Sequence, residues 1–181
     1  MTDRLMPCPE IRRLMSRHGL MRKLARWTPR WVGSIPLSVH GPGADIDIAC
    51  CATTGLAAFK SALSTLWPDA EVVDNLHAGE ASIIARMVIE HVPVEIFGRE
   101  RPVETHESYV HWLAEHRLLQ CAEDRLRTDV RAAKADGLKT EPAFARCLQL
   151  GGDPYVELLK LASPGDDALR SLIRQAGYKA R

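Results

Sequence analysis

The sequence predicts an α+β fold, with a mixed β-sheet carrying helices and a helical carboxy-terminal subdomain after it. Three observations lead there. Between residues 31 and 97 apolar and polar residues alternate in short runs separated by turn-forming residues, the pattern of half-buried strands. After Pro102 every run has helical spacing and its own start signal. No linker, repeat or low-complexity segment divides the 181 residues, a length that suits one domain or a small core with an extension. The expected division is an α/β core over residues 1–102 and a helical extension over residues 103–181, packed as one folded unit.

In chain order, residues 9–23 set Ile11, Leu14, Met15, Leu20 and Met21 at helical spacing with arginines between them, an amphipathic helix that Gly19 interrupts. Residues 31–40 read as extended, His40-Gly41-Pro42-Gly43 as a turn, and residues 46–51 as a strand with alternating faces. Thr53 or Thr54 is placed to cap a helix through Phe59 and Leu63 that stops before Pro68. Residues 71–76, 81–89 and 92–97 read as strands. Glu90-His91 joins the last two as a tight hairpin turn without the usual glycine, and counting back from it pairs Ile89 with Val92, Val88 with Pro93, Met87 with Val94 and Arg86 with Glu95. Beyond Pro102, Thr105 is expected to cap a helical run that continues from Glu107 through Val130 and Ala133 and closes at Gly137. Thr140, Asp153 and Ser163, each followed by a proline within two residues, mark three short helices.

The composition excludes several classes. A formal net charge of +1, with 46% hydrophobic and 26% charged residues, is that of an ordinary globular chain. Local charge is less even: residues 1–31 hold Arg4, Arg12, Arg13, Arg17, Arg22, Lys23, Arg26 and Arg30 against Asp3 and Glu10, a cationic face that suits an anionic ligand or the solvated side of a helix. The start lacks the apolar stretch of a signal peptide and no run approaches the roughly 20 residues of a membrane span, so a soluble cytoplasmic protein with no membrane partner is expected. The five cysteines form no C-x-x-C pair and read as reduced thiols. Only 6% of residues are aromatic, which makes nucleic-acid binding by base stacking a poor expectation.

The chemistry concentrates in Asp45-Ile46-Asp47-Ile48. On a strand the period of two puts both carboxylates on one face, where they repel unless a cation lies between them. Magnesium suits that role, because it prefers oxygen ligands and takes one or two carboxylates, leaving waters and phosphates to complete its octahedron. An exposed acidic strand face is the alternative. Gly33-Ser34 follows an apolar strand end and offers a close backbone approach and a hydroxyl to a phosphate. Glu95 stands alone inside an apolar strand, so it needs a partner, either Arg86 across the hairpin or a metal with Arg86 orienting the carboxylate.

These residues in this order resemble the polymerase-beta-like nucleotidyltransferase superfamily, with Val32-Gly33-Ser34, a gap of about ten residues, the acid-apolar-acid-apolar strand, and a third acid later. Residues 10–160 further resemble a small bacterial family of unassigned function within it, through Gly41-Pro42-Gly43-Ala44-Asp45-Ile46-Asp47, Val94-Glu95-Ile96-Phe97-Gly98, Lys139-Thr140-Glu141-Pro142-Ala143-Phe144-Ala145 and Gly152-Asp153-Pro154-Tyr155. The resemblance implies a nucleotidyltransferase-like fold and transfer of a nucleoside monophosphate from an NTP, and the small size of the chain points to a hydroxyl of a small molecule or protein as the acceptor. It also implies two Mg²⁺ ions, or Mn²⁺, on Asp45, Asp47 and Glu95, with the triphosphate against Gly33 and Ser34. The segment after Gly-Ser departs from the family in carrying Pro36 and Pro42. A nucleotide- or metal-binding module without catalysis and a metal-dependent phosphohydrolase are the alternatives.

Arg131, Lys134 and Lys139 are further candidates for neutralising the triphosphate, Arg131 and Lys134 from one helix face. His106, His111 and His116 fall five apart, on different faces of a helix, and read as packing or surface residues. The acceptor, the NTP and the oligomeric state are not written in the sequence.

Overall fold

In the structure, a computed structural model, residues 8–77 and 79–181 are described; Asp3 and Arg4 of the cationic segment lie outside them. The chain forms two compact units, residues 1–32 with 42–109, and residues 33–41 with 110–181.

The first unit is built on helix α1 (Cys8–His18), a four-residue helix α2 (Leu20–Lys23) and strands β1 (Arg30–Val32) and β2 (Ile46–Cys51). Helix α3 (Leu56–Leu66) and strands β3 (Glu71–His77), β4 (Glu80–Ile89) and β5 (Val92–Arg99) complete it. The sheet runs in the order β1-β2-β5-β4-β3. The β2–β5 pair is parallel, and the other neighbours are antiparallel. One sheet face carries Ile46, Ile48, Ala85, Val94 and Ile96, all almost wholly buried, and α3 packs on it through Phe59 and Leu63. Gly98 follows Val94 and Ile96 on that face, where a Cβ would meet the Phe59 ring at 2.3 Å. Phe59 in turn meets the Trp27 ring edge-on at 5.1 Å.

The hairpin register matches the one counted from its turn, from Ile89↔Val92 to Arg86↔Glu95. Glu90 and His91 have φ of 47° and 71°, the left-handed pair a two-residue hairpin turn demands. Glu90 is held in place by Arg17 and His18 at 2.5 and 2.6 Å. These ion pairs help to hold a non-glycine residue in a strained conformation.

Three local expectations are corrected. Residues 34–38 form tight turns rather than a strand. Gly33 and Ser38 turn left-handed and Val39 N–H donates to the Ser34 carbonyl at 3.1 Å, so the alternation of Ile35, Leu37 and Val39 comes from a turn that buries every second side chain. Neither Thr53 nor Thr54 caps α3: the N-cap is Gly55, and Leu56 N–H donates to the Glu100 carboxylate at 3.1 Å. Thr105 lies in a 3-10 turn, its hydroxyl donating to the Pro102 carbonyl at 2.7 Å, and α4 (Glu107–Cys121) begins after it.

The second unit takes most of α4 with α5 (Asp124–Ala135), α6 (Thr140–Leu148), α7 (Pro154–Lys160) and α8 (Asp166–Gln175). Its core joins Leu37 and Val39 to Leu118, Leu126, Val130, Phe144, Leu158 and Ile173. The long run expected from Glu107 to Ala133 breaks at Ala122-Glu123, where Glu123 N–H donates to the Lys179 carbonyl at 3.0 Å and Ala122 bridges Ala180. Asp153 caps α7 as expected, accepting from Tyr155 N–H at 2.8 Å. The N-caps of α6 and α8 are Lys139 and Gly165, so each of the three helices marked by the prolines is present.

Candidate active site

Parallel pairing of β2 and β5 sets Asp47 directly beside Glu95, and the antiparallel β4 sets Arg86 on the other side of Glu95. Side chains paired in register share a face. One row across the sheet therefore reads Val32, Asp47, Glu95, Arg86, Glu71, on the face opposite Ile48, Ile96 and Phe59. Asp45 precedes β2 by one residue and is exposed. It lines an open depression of ≈ 290 Å³ together with Arg86, Val88, Pro93 and Glu95.

Arg86 Nε donates to Glu95 Oε2 at 2.9 Å, with the arginine half exposed and the glutamate less so. The partner expected for Glu95 across the hairpin is thus present. Among the described residues no group of three His, Cys, Asp or Glu side chains is arranged to hold a metal ion. The donor chemistry still fits Mg²⁺, because Asp45 and Asp47 supply the one or two carboxylates that this ion takes, with Glu95 adjacent.

At the far end of β5 a separate ion-pair web forms. Arg99 contacts Glu80 and Glu107 at 3.0 and 2.5 Å, and Arg101 contacts the same two acids at 2.6 and 2.9 Å. Hydrogen bonding from Arg101 holds the Glu80 carboxyl below its ordinary range. This web ties the start of β4 and of α4 to the end of β5 and contains no site residue.

The other candidates lie in the second unit. Gly33, at φ 76°, turns the chain out of β1, and Ser34 starts the turn described above. Arg127 donates to the Leu37 carbonyl and Arg131 Nε to the Ser38 carbonyl at 2.6 Å, so two arginines of α5 hold that turn. Lys134 Nζ donates to Thr140 Oγ1 at 2.7 Å, and Lys139 is exposed at the α6 N-cap.

His111 and Glu115, which the sequence places on one helix that could border the cleft, meet Glu141 and Tyr155 in a polar cluster that the sequence does not show. His111 lies 2.9 Å from the Tyr155 carbonyl and 3.7 Å from Glu141. Glu115, one helical turn further on, is 2% exposed with one carboxylate oxygen lacking a partner. Burial, reinforced by the nearby Glu141 charge and only partly offset by Lys134, pushes the Glu115 carboxyl well above its ordinary value of 4.5. The strings around Thr140-Glu141 and Asp153-Pro154-Tyr155 were the signal, since this cluster is where they meet. His106, like His111, is buried, and its Nε2 lies 3.1 Å from the Arg101 carbonyl.

None of the curated proteins matches the sequence. Among solved structures, the chain is similar to the Cid1 RNA terminal uridylyl transferase, with a TM-score of 0.51 at 14% identity over 70% of this chain and 39% of that one. It is similar also to the Cid1 poly(U) polymerase with Mg 3'-dATP bound, with a TM-score of 0.53 at 14% identity over 83% of this chain and 47% of that one. A third similar structure is a cytoplasmic RNA terminal U-transferase, with a TM-score of 0.50 at 14% identity over 84% and 44%. The chain spans less than half the length of each, and at this identity the likeness shows the fold alone, the mixed sheet with helices of a nucleotidyltransferase-like fold. Among the described residues no helix is long and apolar enough to cross a membrane. Residues 13–161 match the model of a domain of unknown function, and the chain is a member of that family, DUF4269.

Proposed function

We propose that this protein is a Mg²⁺-dependent nucleotidyltransferase that moves a nucleoside monophosphate from an NTP to a hydroxyl of a small molecule or protein. The observation that carries the reading is the register that sets Asp47 beside Glu95, on the face opposite the packed core, with Asp45 two residues upstream. Two acids in register repel each other, and a divalent cation held with the nucleotide suits that arrangement.

Asp45 and Asp47 would hold the ion, with Mn²⁺ as a substitute, and Glu95 would complete the set when a second ion binds. When bound, Mg²⁺ neutralises charge developing on the transferring phosphoryl group. In the reaction the acceptor oxygen bonds to the α-phosphorus, the bond from that phosphorus to the β-phosphate oxygen breaks, and pyrophosphate leaves. Glu95, oriented by Arg86, is the group assigned to take the acceptor proton. Gly33, Ser34, Arg131, Lys134 and Lys139 are assigned phosphate contacts on the strength of the sequence motif and of the resemblance.

A second reading, a nucleotide- or metal-binding module without transfer, is favoured by the ion pair that engages Glu95. The two are separated by incubating the protein with Mg²⁺, each α-labelled NTP and fractionated small molecules, proteins and RNA. The transferase reading expects label on one fraction, reduced about a hundredfold or more in Asp45→Asn and Asp47→Asn. Nucleotide and metal binding without any labelled product would select the binding module, and absence of both would reject both.

A further inference from the structure

We infer that the first unit has a second ligand site, for a small organic anion with a flat apolar body, on the back of the sheet. A cavity of ≈ 430 Å³ opens there, lined by Arg12, Met15, Ser16, Gly19, Met21, Arg22 and Trp31. Trp31 pairs in register with Ile48 and so belongs to the sheet face opposite Asp47 and Glu95. The site is therefore separate from the acidic row, and nothing in it depends on the proposed transfer reaction.

Its size is that of a small-molecule pocket, and its walls follow the usual division of an apolar lining with a few polar groups. Met15, Met21 and Trp31 supply the apolar surface. The polar groups are the Ser16 hydroxyl and two guanidiniums, which only donate hydrogen bonds. Arg12 lies over the Trp31 ring, with Cζ 4.8 Å from its centroid, and a guanidinium against an indole keeps N–H groups that an acceptor can use.

Arg22 folds back over the corner between α1 and α2. A Cβ on Gly19 would stand 3.2 Å from Arg22 Nη2, and Gly19 turns that corner at φ 62°. Among the described residues neither Arg12 nor Arg22 is paired with a carboxylate, whereas Arg17, between them in sequence, is bound to Glu90. Two exposed guanidiniums with no carboxylate partner among the described residues, beside one apolar cavity, suit an anion, and the methionine and indole surfaces suit a planar body. A phosphate or carboxylate on an aromatic ring meets both demands.

The test is an NMR titration of the full ¹⁵N-labelled chain with 1-naphthyl phosphate, and in parallel with neutral 1-naphthol and with inorganic phosphate. The expected result is a saturable shift of the Trp31 indole and of the Arg12, Ser16, Gly19 and Arg22 amides with 1-naphthyl phosphate. Both control compounds should bind about tenfold more weakly, as should Arg12→Gln and Arg22→Gln proteins whose remaining spectrum is unchanged, while Asp47→Asn binds normally. Equal binding of 1-naphthol, no shift at these residues, or undiminished binding by both arginine variants would overturn the assignment. So would shifts of the same residues on dilution of the protein alone, which would mark the cavity as a self-association surface.

Discussion

Arg86 donates to Glu95 across the β4–β5 hairpin at 2.9 Å, in the same register that sets Glu95 beside Asp47. The arginine offsets part of the repulsion between two neighbouring acids and fixes the direction of one of them. If it acts on Glu95 as a positioning residue, Arg86→Gln should lower nucleotidyl transfer about 10- to 100-fold, mainly in kcat. Because the pair is half exposed, thermal stability should fall by less than about 1 kcal/mol. Steady-state kinetics alongside thermal unfolding would check both; unchanged transfer would assign the pair to sheet structure alone.

Gly98 is fixed by packing against α3. A methyl group there would overlap the buried Phe59 ring, whose other neighbour is Trp27, so the ring has little room to yield. Gly98→Ala should destabilise the protein by about 1–3 kcal/mol, and a second change, Phe59→Leu, should recover part of that loss. Urea unfolding of both proteins measures it, and a neutral Gly98→Ala would show that the ring moves freely.

Glu115 makes stability depend on pH. Its folded-state pKa lies well above the ordinary 4.5, through burial first and the Glu141 charge second. An acid shifted upward contributes stability while protonated, and that contribution is lost as pH rises from the ordinary value toward the folded one. Glu115→Gln cannot ionise, so its melting temperature should rise relative to wild type as pH increases above 4.5. A difference that stays flat across this range would show that the carboxyl titrates normally.

Much of this was legible because sheet register is a counting problem once the turn is known. Glu90-His91 was enough to place Arg86 opposite Glu95, although neither turn residue is glycine and Arg17 and His18 are needed to hold the first of them. The acid-apolar-acid pattern likewise gave the face of Asp47. What stayed hidden depends on partners remote in sequence: the Glu100 carboxylate that caps α3, the Lys179 carbonyl that breaks the long helix at Glu123, and the α5 arginines that hold the 34–39 turn. The burial of Glu115 was hidden for the same reason, since helical spacing alone does not say which polar side chain the other helices cover.

The central claim, that Asp45 and Asp47 hold a divalent ion with nucleotide, is tested most directly by paramagnetic broadening. Mn²⁺ would be titrated into the ¹⁵N-labelled protein with a non-hydrolysable NTP analogue, in wild type and in an Asp45→Asn/Asp47→Asn double variant. The account predicts that amides of residues 45–49 and 94–97 broaden first in wild type and that this broadening disappears in the double variant. Broadening centred elsewhere, or equal in both proteins, would contradict it.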